Sequence, residues 1–161
     1  MNKEQIFDRL WDIYTTQNPS VKKVYDLFTA FGEEVVNDHI AFRTYNDPRI
    51  NVDVLAKPFL AAGYVQKGEY HFEAKKLYAK HYEHSTDAKA PRVFISQLKV
   101  EEFSPYLQET VKKIVDAIPA HHLKSEELIY AGNLWGTPSY EIYEKLRQES
   151  EYAAWLYLYG F

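Results

Sequence analysis

The chain has 161 residues, of which 46% are hydrophobic and 16% aromatic, so it is long enough for one domain and apolar enough to fold around a core. Its formal net charge of -4 opposes general binding to nucleic acid or to an anionic membrane surface, and we expect neither partner. It contains no cysteine, which excludes disulfides, thiolate metal sites and a cysteine nucleophile.

The N-terminal residues also bear on location. They include acidic side chains from the fourth position onward and lack the uninterrupted apolar stretch of a secretory signal. No segment approaches the ~20 apolar residues that a membrane helix needs. We therefore expect a cytoplasmic protein.

Residues 1–33 form a helical N-terminal segment in this interpretation. Apolar residues recur at helical spacing over residues 3–16 and again over residues 21–31. Asn18-Pro19-Ser20 separates the two patterns, and Ser20 is a suitable N-cap for the second helix. Gly32 is suited to end it.

The pattern changes to a period of two in residues 34–103. The stretch VVNDHIAFRTY, from residue 35, predicts a strand, and residues 51–62 predict a helix that Pro58 either kinks or shortens. Three further strands are predicted, at 64–73, 75–84 and 92–100, with Gly68 as a turn or bulge in the first of them. The order is therefore one strand, one helix and three strands.

Residues 104–161 return to helical spacing. Ser104 and Pro105 are typical of a helix start, and residues 139–160 predict one last helix. That helix ends in the apolar run AWLYLY, which must pack either on this domain or on another surface. The whole chain, 1–161, is interpreted as a single α+β domain with helices on both sides of a βαβββ module.

The strand NDHIAFRT contains two polar residues on one face. Alternation places His39, Ala41 and Arg43 together and turns Ile40 and Phe42 the other way. If the apolar face packs on helices, the polar face must border a polar cavity, because a buried guanidinium without a partner is costly. A metal ligand and a binding group for an anionic substrate would fit this geometry. A His/Arg pair bonded to Asp38 or Asp47 on an exposed edge is the alternative.

Other polar residues are weaker candidates. Ser96 or Gln97, in the last strand, could line the same cavity or could be ordinary half-buried polar groups. His81 and His84 lie three apart on a strand and point to opposite faces, so they suit one ion poorly. We interpret them, with the adjacent pair His121 and His122, as ordinary surface or helix-cap histidines.

Three stretches together carry a family resemblance. NDHIAFRTYND, YHFEAKKLYAKHYEH and PRVFISQL resemble the 2-oxoadipate dioxygenase/decarboxylase family, also called hydroxyglutarate synthases. The resemblance implies a half-barrel similar to the vicinal oxygen chelate proteins. It also implies Fe(II) bound by two histidines and a glutamate, with His39 as the first ligand. Arg43 would bind the substrate carboxylate and serve catalysis. From the strand pattern, and not from the resemblance, we also predict Ser96 and Gln97 as substrate-binding residues.

The implied reaction converts 2-oxoadipate and O2 into 2-hydroxyglutarate and CO2. The second histidine and the glutamate of the family have no counterpart in these residues. The resemblance therefore leaves three possibilities open: a missing C-terminal half, a homodimer that shares its sites, or an inactive remnant. Another metal-dependent activity, as a hydrolase, lyase or isomerase, and a non-catalytic binding domain are the alternative functions.

Overall fold

Seven α-helices and four β-strands make up residues 1–123 and 126–161, the part of the chain that the computed structural model describes. The helices are α1 (Lys3–Gln17), α2 (Pro19–Ala30), α3 (Val52–Ala61), α4 (Pro105–Asp116), α5 (Ala120–Leu123), α6 (Tyr140–Glu149) and α7 (Glu151–Tyr159). The strands are β1 (His39–Tyr45), β2 (Tyr64–Phe72), β3 (Leu77–His84) and β4 (Arg92–Leu98). Lys124 and Ser125, in the predicted C-terminal segment, lie outside the described residues.

The four strands form one mixed sheet in the order β1-β4-β3-β2. β1 and β4 run parallel, with His39 opposite Arg92 and Arg43 opposite Ser96, whereas the other two pairings are antiparallel. A parallel pairing requires a crossover, and α3 lies in the connection after β1. The predicted α+β class and the βαβββ order are confirmed.

The sheet has two unlike faces. One packs against α3 and contains the buried side chains of Phe42, Val93 and Ile95, which share a core with Leu55 and Phe59 of α3. We call this the helix face. The other, which we call the site face, carries His39, Ala41 and Arg43 of β1, Phe94 and Ser96 of β4, Ala79 and His81 of β3, and Gly68 and Tyr70 of β2.

The first strand is shorter than predicted. The sequence predicts strand from residue 35, but β1 begins at His39, and residues 35–38 are not in the sheet. The partner strand β4 begins at Arg92, opposite His39, and the Ala90 N–H, which would continue the ladder toward β1, instead donates to the Asp87 carbonyl. The register of β4 therefore sets the start of β1.

Glycine and proline affect the module at two positions. Pro58 neither ends nor shortens α3, which continues to Ala61 with Pro58 inside it. The register of β2 against β3 shifts between Gln66 and Gly68, so the predicted bulge is confirmed.

The last predicted helix is two helices. Ser150 adopts an extended backbone, with φ of -154°, and its side chain accepts a hydrogen bond from the Ala153 backbone N–H. It therefore ends α6 and caps α7. Ala154, Leu156 and Tyr157 are buried, so half of the apolar end packs on this domain. The other half stays exposed, and it consists of Trp155, Leu158 and Tyr159.

The N-terminal helices form a hairpin of unequal burial. Helix α1 buries Ile6 and Leu10, whereas α2 has no buried residue. The predicted Ser20 cap is wrong: α2 begins at Pro19, because a proline without an N–H fits the first helical position. The exposed apolar side chains of α2 and of the segment between it and β1 are Val24, Leu27, Phe28, Phe31, Val35 and Val36.

Candidate functional site

Arg43 lies half-buried in an open groove above the site face. Its Cζ atom is 4.1 Å from the centroid of the Trp155 ring and 5.7 Å from that of Tyr152, both on α7. Aromatic faces attract a cation without neutralising it. Within the part of the chain that the structure describes, no carboxylate forms an ion pair with Arg43. The guanidinium is therefore positioned by rings and keeps its donors for an anion.

His39 lies two residues before Ala41 on the same face, at the exposed end of β1. Its Nδ1 is 2.9 Å from the Asp38 Oδ2 atom. A carboxylate on one ring nitrogen selects the tautomer with the proton there and leaves Nε2 to bind a metal or ligand. The predicted pairing of His39 with Asp38 is thus present, and it is compatible with both interpretations of the sequence.

Ser96 and Gln97 point in opposite directions, as neighbours on a strand must. The Ser96 hydroxyl lies on the site face, 2.9 Å from the Tyr152 hydroxyl. The Gln97 side chain instead accepts a hydrogen bond of 3.0 Å from the Val52 backbone N–H, at the start of α3. The structure therefore brings Ser96 to the groove and places Gln97 on the helix face, where it satisfies a free N–H of the first helical turn.

Tyr152 connects α7 to the sheet below Arg43. Its hydroxyl donates to the Ser96 carbonyl at 2.7 Å and accepts from the Thr44 backbone N–H at 3.1 Å. Burial raises the pKa of the Tyr152 phenol well above its usual value. The phenol therefore stays neutral and holds α7 against β1 and β4, which in turn fixes the position of Trp155 above Arg43.

A second polar cluster lies on the β2–β3 side of the same face, and the sequence analysis missed it. The Tyr70 hydroxyl is 2.9 Å from Nδ1 of His81, and Nε2 of His81 is 3.4 Å from a Glu83 carboxylate oxygen. Glu83 also contacts the Nε atom of Arg92 at 3.3 Å. The interpretation of His81 as an ordinary surface histidine is wrong, because its side chain is only 20% exposed and has partners on both nitrogens.

Metal binding needs more ligands than this face supplies. Within residues 1–123 and 126–161, no group of three or more His, Cys, Asp or Glu side chains could hold a metal ion. His81 and His84 lie three residues apart on β3 and point to different faces, and the rings of His121 and His122 contact each other at an angle of 38°, with centroids 4.2 Å apart. Of the predicted iron ligands, the described residues include His39 alone.

Comparison with known proteins identifies the family. Residues 6–160 match the family of 2-oxoadipate dioxygenase/decarboxylase. This chain belongs to the 2-oxoadipate dioxygenase/decarboxylase family. A curated relative from Oryza sativa subsp. japonica, the chloroplastic/amyloplastic 2-oxoadipate dioxygenase/decarboxylase, is 31% identical over 97% of this chain. The chain spans about half the length of the curated relatives it matches, since it covers 46% of the rice protein.

Three solved structures share the fold of this chain. Hydroxyglutarate synthase from Oryza sativa, crystallised in complex with 2-oxoadipate, matches 98% of this chain and 54% of its own, with a TM-score of 0.87 and 31% identity. A protein from Shewanella frigidimarina matches 99% of this chain and 62% of its own, with a TM-score of 0.91 and 42% identity. A glyoxalase superfamily protein from Ralstonia eutropha shares the fold alone, at a TM-score of 0.68 and 22% identity. The predicted resemblance to vicinal oxygen chelate proteins is confirmed.

None of the helices described for this 2-oxoadipate dioxygenase/decarboxylase family member combines the length and apolar character that crossing a bilayer requires. The name of the rice relative assigns that protein to plastids. A cytoplasmic location for this chain stays a prediction.

Proposed function

We propose that this chain binds a 2-oxo acid such as 2-oxoadipate on its site face and takes part in Fe(II)-dependent dioxygenation and decarboxylation to 2-hydroxyglutarate and CO2. The observation that carries the proposal is Arg43, a half-buried guanidinium that aromatic rings position and that no described carboxylate neutralises. Such a group binds a carboxylate through two parallel hydrogen bonds. Family membership supplies the substrate class.

Each residue has a distinct task in this proposal. Arg43 holds the substrate carboxylate, Tyr152 and Trp155 hold Arg43, and the Ser96 hydroxyl is a further polar group beside it. His39 contributes Nε2 to the iron, and Asp38 keeps the other nitrogen protonated. Bound iron would bring the 2-oxo acid and O2 together.

The described residues do not fit a complete iron site by themselves, because a facial triad needs three ligands. We propose that the second histidine and the glutamate come from a second copy of the chain or from a C-terminal half such as the additional length of the relatives would supply. Exposed apolar side chains on α2 favour a partner surface of either kind.

Titration calorimetry with 2-oxoadipate tests the substrate assignment. We expect Arg43→Gln to weaken binding by roughly 10- to 100-fold, which corresponds to the loss of a charge-assisted contact of about 1.5–3 kcal/mol. Arg147→Gln is the matched control, since that arginine pairs with Glu144 on the surface of α6. Equal affinities of wild type and Arg43→Gln would contradict the assignment.

Iron content after anaerobic loading and dialysis tests the ligand assignment. His39→Ala should retain less Fe(II) than wild type, whereas His121→Ala, at an exposed histidine of α5, should match wild type. Sedimentation velocity with and without Fe(II) then reports whether two copies share the metal. Binding of 2-oxoadipate without oxygen consumption in the iron-loaded protein would favour the non-catalytic alternative.

A further inference from the structure

Tyr70, His81 and Glu83 are arranged in the order that proton transfer requires. A hydroxyl that donates to a histidine nitrogen, with a carboxylate near the other nitrogen, is the arrangement that activates hydroxyl nucleophiles and bases. Here the hydroxyl is the Tyr70 phenol, whose oxygen lies 2.9 Å from Nδ1 of His81, and Glu83 lies 3.4 Å from Nε2. The carboxylate favours the tautomer whose Nδ1 can accept the phenol proton.

Gly68 makes room for this contact. A Cβ atom built at residue 68 would lie 2.8 Å from Nδ1 of His81 and 3.0 Å from the Tyr70 hydroxyl oxygen. The two polar atoms therefore meet in the space that a side chain at this position would fill. Gly68 also stands at the bulge that sets the register of Tyr70 beside His81. The contact between Tyr70 and His81 thus depends both on the bulge and on the absence of a Cβ atom at Gly68.

The cluster lies beside the groove that contains Arg43, because Tyr70 contacts Phe94, which lines that groove. Phe94 lies between Ala41 and His81 on adjacent strands, and its ring is 5.7 Å from that of Tyr70. Two strand spacings, roughly 10 Å in all, separate Ala41 from His81. A chain of several carbons lying on Phe94 could therefore contact Tyr70 while its carboxylate binds Arg43 on the opposite side.

We propose that Tyr70 and His81 are a proton-transfer dyad for the ligand of the site face, with Glu83 as the residue that positions His81. A proton that leaves the ligand binds the Tyr70 oxygen as the phenol proton moves to Nδ1 of His81; the reverse movement protonates the ligand. No co-reactant is needed, because only protons move. The identity of the ligand rests on the proposed function, whereas the dyad itself does not.

Chemical labelling with phenylmethylsulfonyl fluoride tests the dyad in the full chain. The Tyr70 oxygen forms a bond to sulfur, the S–F bond breaks, fluoride leaves, and the phenol proton moves to His81. Peptide mapping should show Tyr70 labelled at least tenfold faster than Tyr140, although Tyr140 is 76% exposed and Tyr70 only 39%. Faster labelling of Tyr140 would overturn the proposal, because exposure alone would then govern reactivity.

Three variants distinguish activation of the Tyr70 hydroxyl from a general effect on folding. His81→Gln should slow labelling of Tyr70 to the rate of Tyr140. Gly68→Ala should do the same without removing a polar group, since the added Cβ displaces the ends of two side chains. His71→Gln is the matched control: His71 lies beside Tyr78 on the opposite face of the same strands, with ring centroids 5.1 Å apart, and should leave Tyr70 unchanged. Unchanged labelling in both His81→Gln and Gly68→Ala would refute the dyad.

Protection by 2-oxoadipate tests the contact with the ligand. We expect saturating 2-oxoadipate to slow labelling of Tyr70 and not that of Tyr140, and Arg43→Gln should abolish the protection. If calorimetry shows 2-oxoadipate bound but Tyr70 is unprotected, the dyad does not serve this ligand. If calorimetry shows no binding, the proposed function fails, and activation of Tyr70 is still decided by the labelling rates.

Discussion

Arg43 and Trp155 stack across the groove although one belongs to the first strand and the other to the last helix, with the guanidinium carbon 4.1 Å from the ring centroid. The docking of α7 on the sheet creates this pair. Helix α7 is therefore part of the binding site that we propose, and the aromatic ring orients the cation that we assign to the substrate.

Trp155→Ala should weaken 2-oxoadipate binding by about 3- to 10-fold, because a cation–π contact of roughly 0.5–2 kcal/mol no longer holds the guanidinium in place. Trp155→Phe keeps an aromatic face and should lose less. Calorimetry on the three proteins checks the order. Wild-type affinity in Trp155→Ala would show that the ring does not position Arg43.

Tyr152→Phe should lower the free energy of unfolding by about 1–3 kcal/mol, since it leaves the Thr44 N–H and the Ser96 carbonyl without the hydroxyl. Urea denaturation followed by circular dichroism measures the change. Tyr140→Phe is the control, because Tyr140 is 76% exposed and should differ by less than about 0.5 kcal/mol. A loss as small as that of the control would mean that the hydroxyl does not hold α7.

Leu156→Ala should cost about 2–5 kcal/mol of stability, since Leu156 is fully buried where α7 meets the core. Leu158, two residues later on the same helix, is 36% exposed, and Leu158→Ala should cost less than about 1 kcal/mol. Urea unfolding of the pair tests whether α7 packs on this domain. Similar losses in the two variants would contradict the burial described for Leu156.

Acid sensitivity should depend on Asp47. Hydrogen bonds from Arg49 lower the pKa of the Asp47 carboxyl below its usual range. A lowered folded-state pKa adds stability that is present above the unfolded-state pKa and is lost as the pH falls through the folded value. In Asp47→Asn, the fall in stability below about pH 4 should therefore be shallower than in wild type.

Thermal unfolding between pH 2 and pH 7 measures the difference. Asp12→Asn is the control, because Asp12 forms no ion pair within residues 1–123 and 126–161. If Asp47→Asn and wild type lose stability in parallel over this range, the ion pair with Arg49 contributes nothing to folding.

The exposed face of α2 should matter for association and not for folding. Phe28→Ser with Phe31→Ser should leave the free energy of unfolding of the monomer within about 0.5 kcal/mol of wild type, since both rings are more than half exposed. If α2 joins two copies, sedimentation velocity should show less dimer in this double variant. Tyr140→Ser removes an exposed ring elsewhere and should not change the association.

The sequence was sufficient to place His39 and Arg43 on one face, because side chains on a strand alternate whatever lies around them. It did not decide between Ser96 and Gln97, since both are polar neighbours and only the register of β4 against β1 selects Ser96. The iron site itself stays a prediction, because the described residues supply only His39.

Other features depend on contacts that no local pattern contains. The break at Ser150 lies within an apolar pattern that would also suit one continuous helix. The contact between Tyr152 and Ser96, which fixes the direction of α7, joins residues far apart in the sequence. The Tyr70–His81 contact depends on the register of β2 against β3, which shifts at the bulge between Gln66 and Gly68. The periodic apolar face of α1 and the Ser104-Pro105 start of α4 were predictable because these signals are local.

The parallel pairing of β1 with β4 also bears on the order of folding. The Tyr70–His81 contact joins residues 11 apart within an antiparallel pair of consecutive strands, whereas the contact of Ser96 with the Phe42 carbonyl joins residues 54 apart. Closing the longer loop loses more chain entropy before any contact offsets it. We therefore expect the β2–β3 hairpin to gain amide protection in pulsed hydrogen exchange before β1 does. A folding intermediate at that stage would already contain the Tyr70–His81 contact, while β1, with His39 and Arg43, would not yet be paired with β4.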